Sequence, residues 1–327
     1  MIPMNQRFAL LAASLLLASC GAAPPAASTS DLADPPEPSG PAVRIEPALS
    51  RLAPGSVLRV GARRVCGFSV DSPVFLDGRG ATIVACDSSP GPVDALPQLK
   101  AGIFLRPTAS GSAITGFRFE GRGVTDGAPG ALAFGVFSRG AEFVVVEHNR
   151  FDGTVQAVTD NGGRGWLIDG NRVRGLEVFG CPGTCGGGDA IVLAHSRVSD
   201  ASADDAFVTS NDVRDLPPPS DLIFSVTGVL AYAVRGPFIL NNTVSLPGSP
   251  TIGIEYTRTA GGVLIDVPCG GGRIIGNHVR HADTAILVTD DCAADTIVEG
   301  NRTGTGMTPL RTTRLVGAPA PQPLGLD

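Results

Sequence analysis

Lysine is almost missing from this chain: of its 25 lysines and arginines only Lys100 is a lysine, which leaves 24 arginines. Aromatic residues make up 5%, with one tryptophan (Trp166) and two tyrosines (Tyr232 and Tyr256). The sequence shows no basic stripe interleaved with aromatics, and the formal net charge is −6. Together these argue against a nucleic-acid partner. No long stretch carries helical amphipathic periodicity, so a helical bundle is excluded. The apolar run Phe8–Ala18 is too short to span a bilayer. What the chain has instead is glycine, 43 residues of it, with many Val, Ile and Thr.

A short phrase recurs. It reads VVVEHNRF (144–151), WLIDGNRV (166–173), AFVTSNDV (206–213), PFILNNTV (237–244), GRIIGNHV (272–279) and TIVEGNRT (296–303). Its sixth position is always asparagine: Asn149, Asn171, Asn211, Asn242, Asn277 and Asn301. Three residues earlier stands a β-branched aliphatic, and two residues later Phe151, Val173, Val213, Val244, Val279 or Thr303. A variant copy, SAITGFRF (112–119), has Phe117 in the asparagine column.

The asparagines are 22, 40, 31, 35 and 24 residues apart. Irregular spacing around a fixed phrase means that one structural unit recurs while its loops vary in length. Each phrase is short, β-branched and alternating, as strands are. A second alternating series lies between the asparagines: GVFS, AVTD, AIVLAHS, GVLAYAV, GIEYT and AILVTDD. With a short strand after each Asn, the pattern predicts an all-β parallel β-helix solenoid of about seven to eight coils. Each coil has three short strands, and an Asn ladder runs along one turn. An Asn at such a tight bend tolerates the left-handed backbone region and can bond its neighbours' backbone.

These phrases, with VFLDGRGATIVA (74–85) as an early coil, resemble the right-handed parallel β-helix repeat family, the pectate-lyase-like superfamily. The resemblance covers roughly residues 55–316 and implies the fold, but no single activity, because the fold hosts lyases, hydrolases, epimerases and adhesins. The family's polygalacturonase elements are missing apart from Asp189 in GGGDAIVL, where Ala190 stands in place of the second Asp. The pectate lyase Arg-x-Pro-x-x-Arg arrangement and its Asp-His calcium strand are also absent.

The remaining segments read as address and tether. Residues 1–19 form a signal peptide ending in Leu17-Ala18-Ser19-Cys20, which resembles a lipobox; the lipid would sit on Cys20. An ordinary secretory signal with an incidental Cys is the competing reading. Gly21 resembles the sorting residue of lipoproteins sent to an outer membrane. Residues 20–43 read as a disordered Pro/Ala-rich tether, 44–316 as the β-helix domain and 317–327 as a disordered tail. Six cysteines follow Cys20, an even number in an exported chain. Cys66 and Cys86 lie about one coil apart, Cys269 and Cys292 likewise, and Cys181 with Cys185 can close a small loop. No His accompanies these pairs at zinc spacing.

The family's substrate groove runs along the outer face of one sheet, here taken as the GIEYT/AILVTDD series. With Ile191, Ile254 and Ile286 inward, the outward positions include Thr159, Val192, Ala194, Glu255, Thr257, Leu287 and Thr289. No paired carboxylates are visible along most of it. The chemical candidates lie just past the strand ends: His195, Arg258 and Asp290, beside Asp291, Glu255 and Tyr256. Arg258 would bind a sugar carboxylate while His195 or Tyr256 moves a proton. A solvated salt-bridge ladder is the competing reading of this ridge. His148 and His278 are expected as turn residues, and Trp166 either packs under a loop or stacks on a sugar. No cofactor or metal is assigned, since calcium at Asp200, Asp204 and Asp205 matches no EF-hand spacing. The expected protein is thus an envelope lipoprotein that binds polysaccharide or another surface partner without turnover. The alternatives are a lyase or epimerase acting on uronate glycans, and a scaffold for an envelope assembly.

Overall fold

In the computed structural model the described residues are 40–92, 98–121, 132–177, 188–196, 201–214, 225–248, 250–260, 263–264, 267–293, 295–304 and 308–313. They belong to the compact unit Glu37–Asp327. Cys20, Cys181, Cys185 and Asp200 lie outside them, and among the described residues no helix is long and apolar enough to cross a membrane.

Three parallel sheets of nine strands each wind into a right-handed β-helix. The strands that precede each Asn form the first sheet, those that follow it the second, and the GIEYT/AILVTDD series the third. Nine coils exceed the seven to eight expected because Ser56–Arg59, Arg64–Cys66 and Phe68–Val70 make an opening coil that lacks the asparagine phrase. At the N-terminal end, Val43 pairs with Val65, so the last residue of the segment expected as tether already belongs to the solenoid.

Alternation makes the interior. Ile114, Val146, Ile168, Val208, Ile239 and Ile274 stack from coil to coil inside the first sheet. Phe119, Phe151, Val173, Val213, Val244 and Val279 do so inside the second. All twelve are fully buried, and each contributes roughly 1.5–3 kcal/mol by leaving water. Phe119 and Phe151 stack with ring centroids 4.6 Å apart. Trp166 and Tyr256 are also fully buried; the indole Nε1 donates to the Ala141 carbonyl at 2.7 Å.

The corner between the first two sheets is held by a continuous amide ladder. Asn171 Nδ2 donates to Asn211 Oδ1 at 3.0 Å, Asn211 Nδ2 to Asn242 Oδ1 at 3.0 Å, and Asn242 Nδ2 to Asn277 Oδ1 at 3.0 Å. Each of these oxygens also accepts the backbone N–H of the preceding Asn, and each Nδ2 also donates to a carbonyl of the preceding coil, as Asn211 does to Ile168 at 2.9 Å. The left-handed residue at this corner is the one before the Asn. His148, Gly170, Ser210, Asn241, Gly276 and Gly300 all have φ between 54° and 68°. Turning the chain one residue early leaves the Asn side chain free to point inward along the axis.

Cys66–Cys86 and Cys269–Cys292 are disulfides with Cα atoms 5.4 Å and 4.8 Å apart. The outer face of the second sheet is arginine-rich. One column runs Arg118, Arg150, Arg172, Asp212, Thr243, His278, Arg302. The next runs Glu120, Asp152, Arg174, Arg214, Ser245, Arg280. The linear sequence shows no basic stripe because each coil supplies only one or two of these residues; stacking builds the stripe.

Replacing Asn211 by Ala leaves the buried Asn171 N–H and Ile168 carbonyl without partners, an expected loss of about 2–4 kcal/mol. Asn301→Ala, at the end of the ladder and half-exposed, should cost clearly less. Urea unfolding of the two variants side by side checks the ranking.

Candidate functional site on the third sheet

The outer face of the third sheet is less bare than its sequence implies. In its central outward column Phe104, Phe137, Thr159, Val192 and Leu230 are buried, and only Ser69, Glu255 and Leu287 are half-buried. Val192 is therefore not an open apolar surface. Phe104, Phe134 and Phe137 join Leu99, Ala101, Ala133 and Val155 in an apolar cluster separate from the main core.

Against this background one polar group stands out. Two residues before each inward aliphatic is a second outward position, occupied by Gln156, Asp189, Thr227, Ile252 and Thr284 on successive coils. The Thr227 backbone N–H donates to Asp189 Oδ1 at 3.2 Å, and Thr227 Oγ1 donates to Glu255 Oε2 at 3.3 Å. Thr227 is fully buried and so fixes both carboxyls from one coil. Asp189 and Glu255 stand two coils apart, with Glu255 three residues further along its strand than Ile252, the register partner of Thr227, and their side chains close on Thr227 between them. Neither carboxyl has an ion-pair partner among the described residues. On the neighbouring coil, Thr159 Oγ1 donates to Gln156 Oε1 at 2.7 Å.

Burial dominates the electrostatics. It pushes the Asp189 carboxyl up to about 7, against the opposing hydrogen bonds from Thr227. Glu255 is also pushed up to about 7, first by burial and then by the charge of Asp189. The two titrate as a coupled pair. Such groups exchange a proton around neutral pH, where an ordinary surface carboxylate is fully ionised.

The other residues expected here fare differently. Extending the strand register by one residue puts the backbones of His195, Ala233, Arg258 and Asp290 on successive coils, so His195 stands two coils from Arg258. His195 is buried and its N–H donates to the Tyr232 carbonyl at 3.0 Å. Arg258 is half-buried and Asp291 exposed in the helical turn Asp290–Ala293; the side chain of Asp290 is outside what is described. Tyr256 does not belong to this ridge. Strand alternation turns it inward, where its hydroxyl donates to the Val234 and Gly270 carbonyls at 2.8 and 2.9 Å and accepts the Gly270 N–H at 2.6 Å. Burial raises it to about 12, so it is a structural anchor and no proton carrier at neutral pH.

Sequence reading found Glu255 but treated Asp189 separately, because its outward positions were counted only after the inward aliphatic. The signal was a polar residue two places before it, in Gln156, Asp189, Thr227 and Thr284. Asp204 is ion-paired to Arg235 at 3.0 Å, and among the described residues no group of three His, Cys, Asp or Glu side chains is placed to hold a metal. A shallow depression lined by Glu46, Ser50, Asp71 and Val74 lies at the opening coil, away from these carboxyls.

No protein-family profile and no curated protein matches the chain. Among solved structures it is similar to an alginate lyase from Paenibacillus sp. str. FPU-7, at 14% identity over 83% of this chain and 95% of that one, with a TM-score of 0.48. It is also similar to the Streptococcus pneumoniae surface protein and adhesin PfbA (11% identity, 78% and 68% covered, TM-score 0.39). A third is the mannuronan C-5 epimerase AlgE4 A-module of Azotobacter vinelandii (12% identity, 82% and 93% covered, TM-score 0.27).

A carboxyl raised on folding favours the folded state most where both states are protonated. The stability from Asp189 and Glu255 is therefore fully present below about pH 4 and falls as pH rises towards 7, where it levels off. The urea midpoint should decline across this window, and the Asp189→Asn/Glu255→Gln double variant should flatten that decline. Carboxyl carbon shifts followed by NMR give the direct check: two groups titrating near 4 would remove the basis of this site.

Proposed function

We propose that the protein engages polysaccharide at the Asp189–Thr227–Glu255 cluster on the outer face of the third sheet. The observation that carries this reading is the pair of outward carboxyls held on one buried threonine with no ion-pair partner among the described residues. A protonated carboxyl both donates and accepts a hydrogen bond, as sugar hydroxyls do. Gln156 adds an amide on the same column, and half-buried Leu287 adds apolar surface for a sugar ring. The primary reading is binding without turnover.

A second reading is turnover of the same polymer. It is favoured by the position of both carboxyls near 7, where a general acid or base works best at neutral pH. The reaction class is then lyase or epimerase chemistry on a uronate-containing glycan, with Arg258 or a protonated carboxyl facing the sugar carboxylate. Incubating the protein with a panel of acidic and neutral polysaccharides, followed by mass spectrometry of products and by binding titration, separates the readings. Binding without products supports the first and unsaturated or epimerised products the second. Asp189→Asn and Glu255→Gln should each weaken whichever signal appears by about tenfold or more. A panel with neither binding nor products would end the proposal.

The same proposal includes an address: an exported chain, lipid-anchored through Cys20 in the cell envelope at the outer membrane. The motif Leu17-Ala18-Ser19-Cys20 and the proline-rich stretch after it support this. Cys20→Ser should move the protein from the membrane to the soluble fraction and abolish labelling by a radioactive fatty acid. Unchanged fractionation would refute the anchor.

A further inference from the structure

The arginine face of the second sheet is a separate surface from the carboxyl cluster. As far as Arg280 its two columns are rigidly placed, because their outward residues alternate with fully buried ones; at the last coil Arg302 is followed by exposed Thr303. Seven arginines stand in these columns against Glu120, Asp152 and Asp212. The carboxylates are shared. Asp152 takes both Arg118 (3.1 Å) and Arg150 (2.9 Å), and Asp212 takes both Arg174 and Arg214 (2.6 Å each).

Towards the C-terminal coils that partial compensation stops. Arg280 and Arg302, on the last two coils, are exposed, as is Arg172 on a central coil, and none of the three forms an ion pair with an acidic side chain among the described residues. Arg280 Nε donates to His278 Nε2 at 2.9 Å, so the imidazole here is an acceptor between cations. Burial, then Arg280 and Arg302, lower the His278 pKa. The field of this face is positive on a chain whose net charge is −6, so a polyanion is steered to it in particular.

We propose that this arginine face binds a linear acidic polysaccharide, with guanidinium groups on successive coils pairing with carboxylates of successive sugars. The coil repeat of about 4.8 Å sets the cation spacing, on the scale of one sugar ring in an extended chain. Planar guanidinium is suited to bidentate carboxylate recognition, which a lysine ammonium is not; arginine is the only cation in these columns. Thr243 and Ser245 lie between the charged coils and offer hydroxyls to the sugar. Neither column contains Phe, Tyr or Trp in its outward positions, so the face lacks the stacking platform that unpaired nucleic-acid bases use.

The test titrates polygalacturonate into the protein at low and high salt, with dextran as the neutral control and oligothymidylate as the nucleic-acid control. Binding of polygalacturonate that weakens steeply with salt, with no response to dextran at this face, is the expected result. The Arg172→Ser/Arg280→Ser/Arg302→Ser variant should bind at least tenfold more weakly with an unchanged unfolding midpoint. If that variant is unstable, Arg302→Ser alone, at the last coil, should still weaken binding measurably. Asp189→Asn/Glu255→Gln should retain this binding, which keeps the proposal independent of the third-sheet site. No salt-sensitive binding, an unaffected arginine variant, or oligothymidylate bound as tightly as polygalacturonate would each overturn it.

Discussion

A coil that closes on itself must turn its backbone through a dry interior, and every turn there strands amide groups away from water. The asparagine ladder meets that constraint. Each side chain satisfies a backbone N–H on one coil and a carbonyl on another, while its own amide bonds the next asparagine. The rest of the solenoid depends on this corner, because it fixes where one sheet stops and the next begins. The strand registers on both sides then follow, and with them the direction in which each side chain points.

The asparagine phrase made the fold legible in the sequence, since a fixed residue with β-branched neighbours at set distances has few structural explanations. The coil spacing that it implies exposed the cysteine partners Cys66–Cys86 and Cys269–Cys292. The site was legible only in part. Glu255 lay on a column that sequence reading followed, whereas Asp189 lay on a column two residues earlier that it did not. Tyr256 was set beside the ridge, although the alternation that places Glu255 outward turns Tyr256 in. The arginine columns were hidden for another reason. Their members are 22 to 40 residues apart in sequence where the asparagines are, so no window along the chain contains two neighbouring coils.

One winding chain thus presents three outer faces with different chemistry. The first sheet carries a half-exposed apolar column through Val145, Leu167, Phe207 and Phe238, the last two stacked at 4.5 Å. The second carries guanidinium groups, and the third an apolar cluster interrupted by two carboxyls held on Thr227. Substitutions on one face reach another only through the interior, where packing is dense and apolar.

The ladder also has a direction. From Asn149 to Asn277 each side-chain amide donates to the asparagine of the next coil towards the C-terminus, and Phe117, which occupies the same corner, gives only its backbone N–H to Asn149. Six side-chain amides aligned head to tail form a polarised wire through the corner of the solenoid, each bond strengthened by the one before it. Asn301 is its last link, with a donor to Ile274 but no seventh asparagine to bond. The wire ends there on a half-exposed link, where the other asparagines of the ladder are buried, and loss of order in the protein should begin at the C-terminal coils and travel inward.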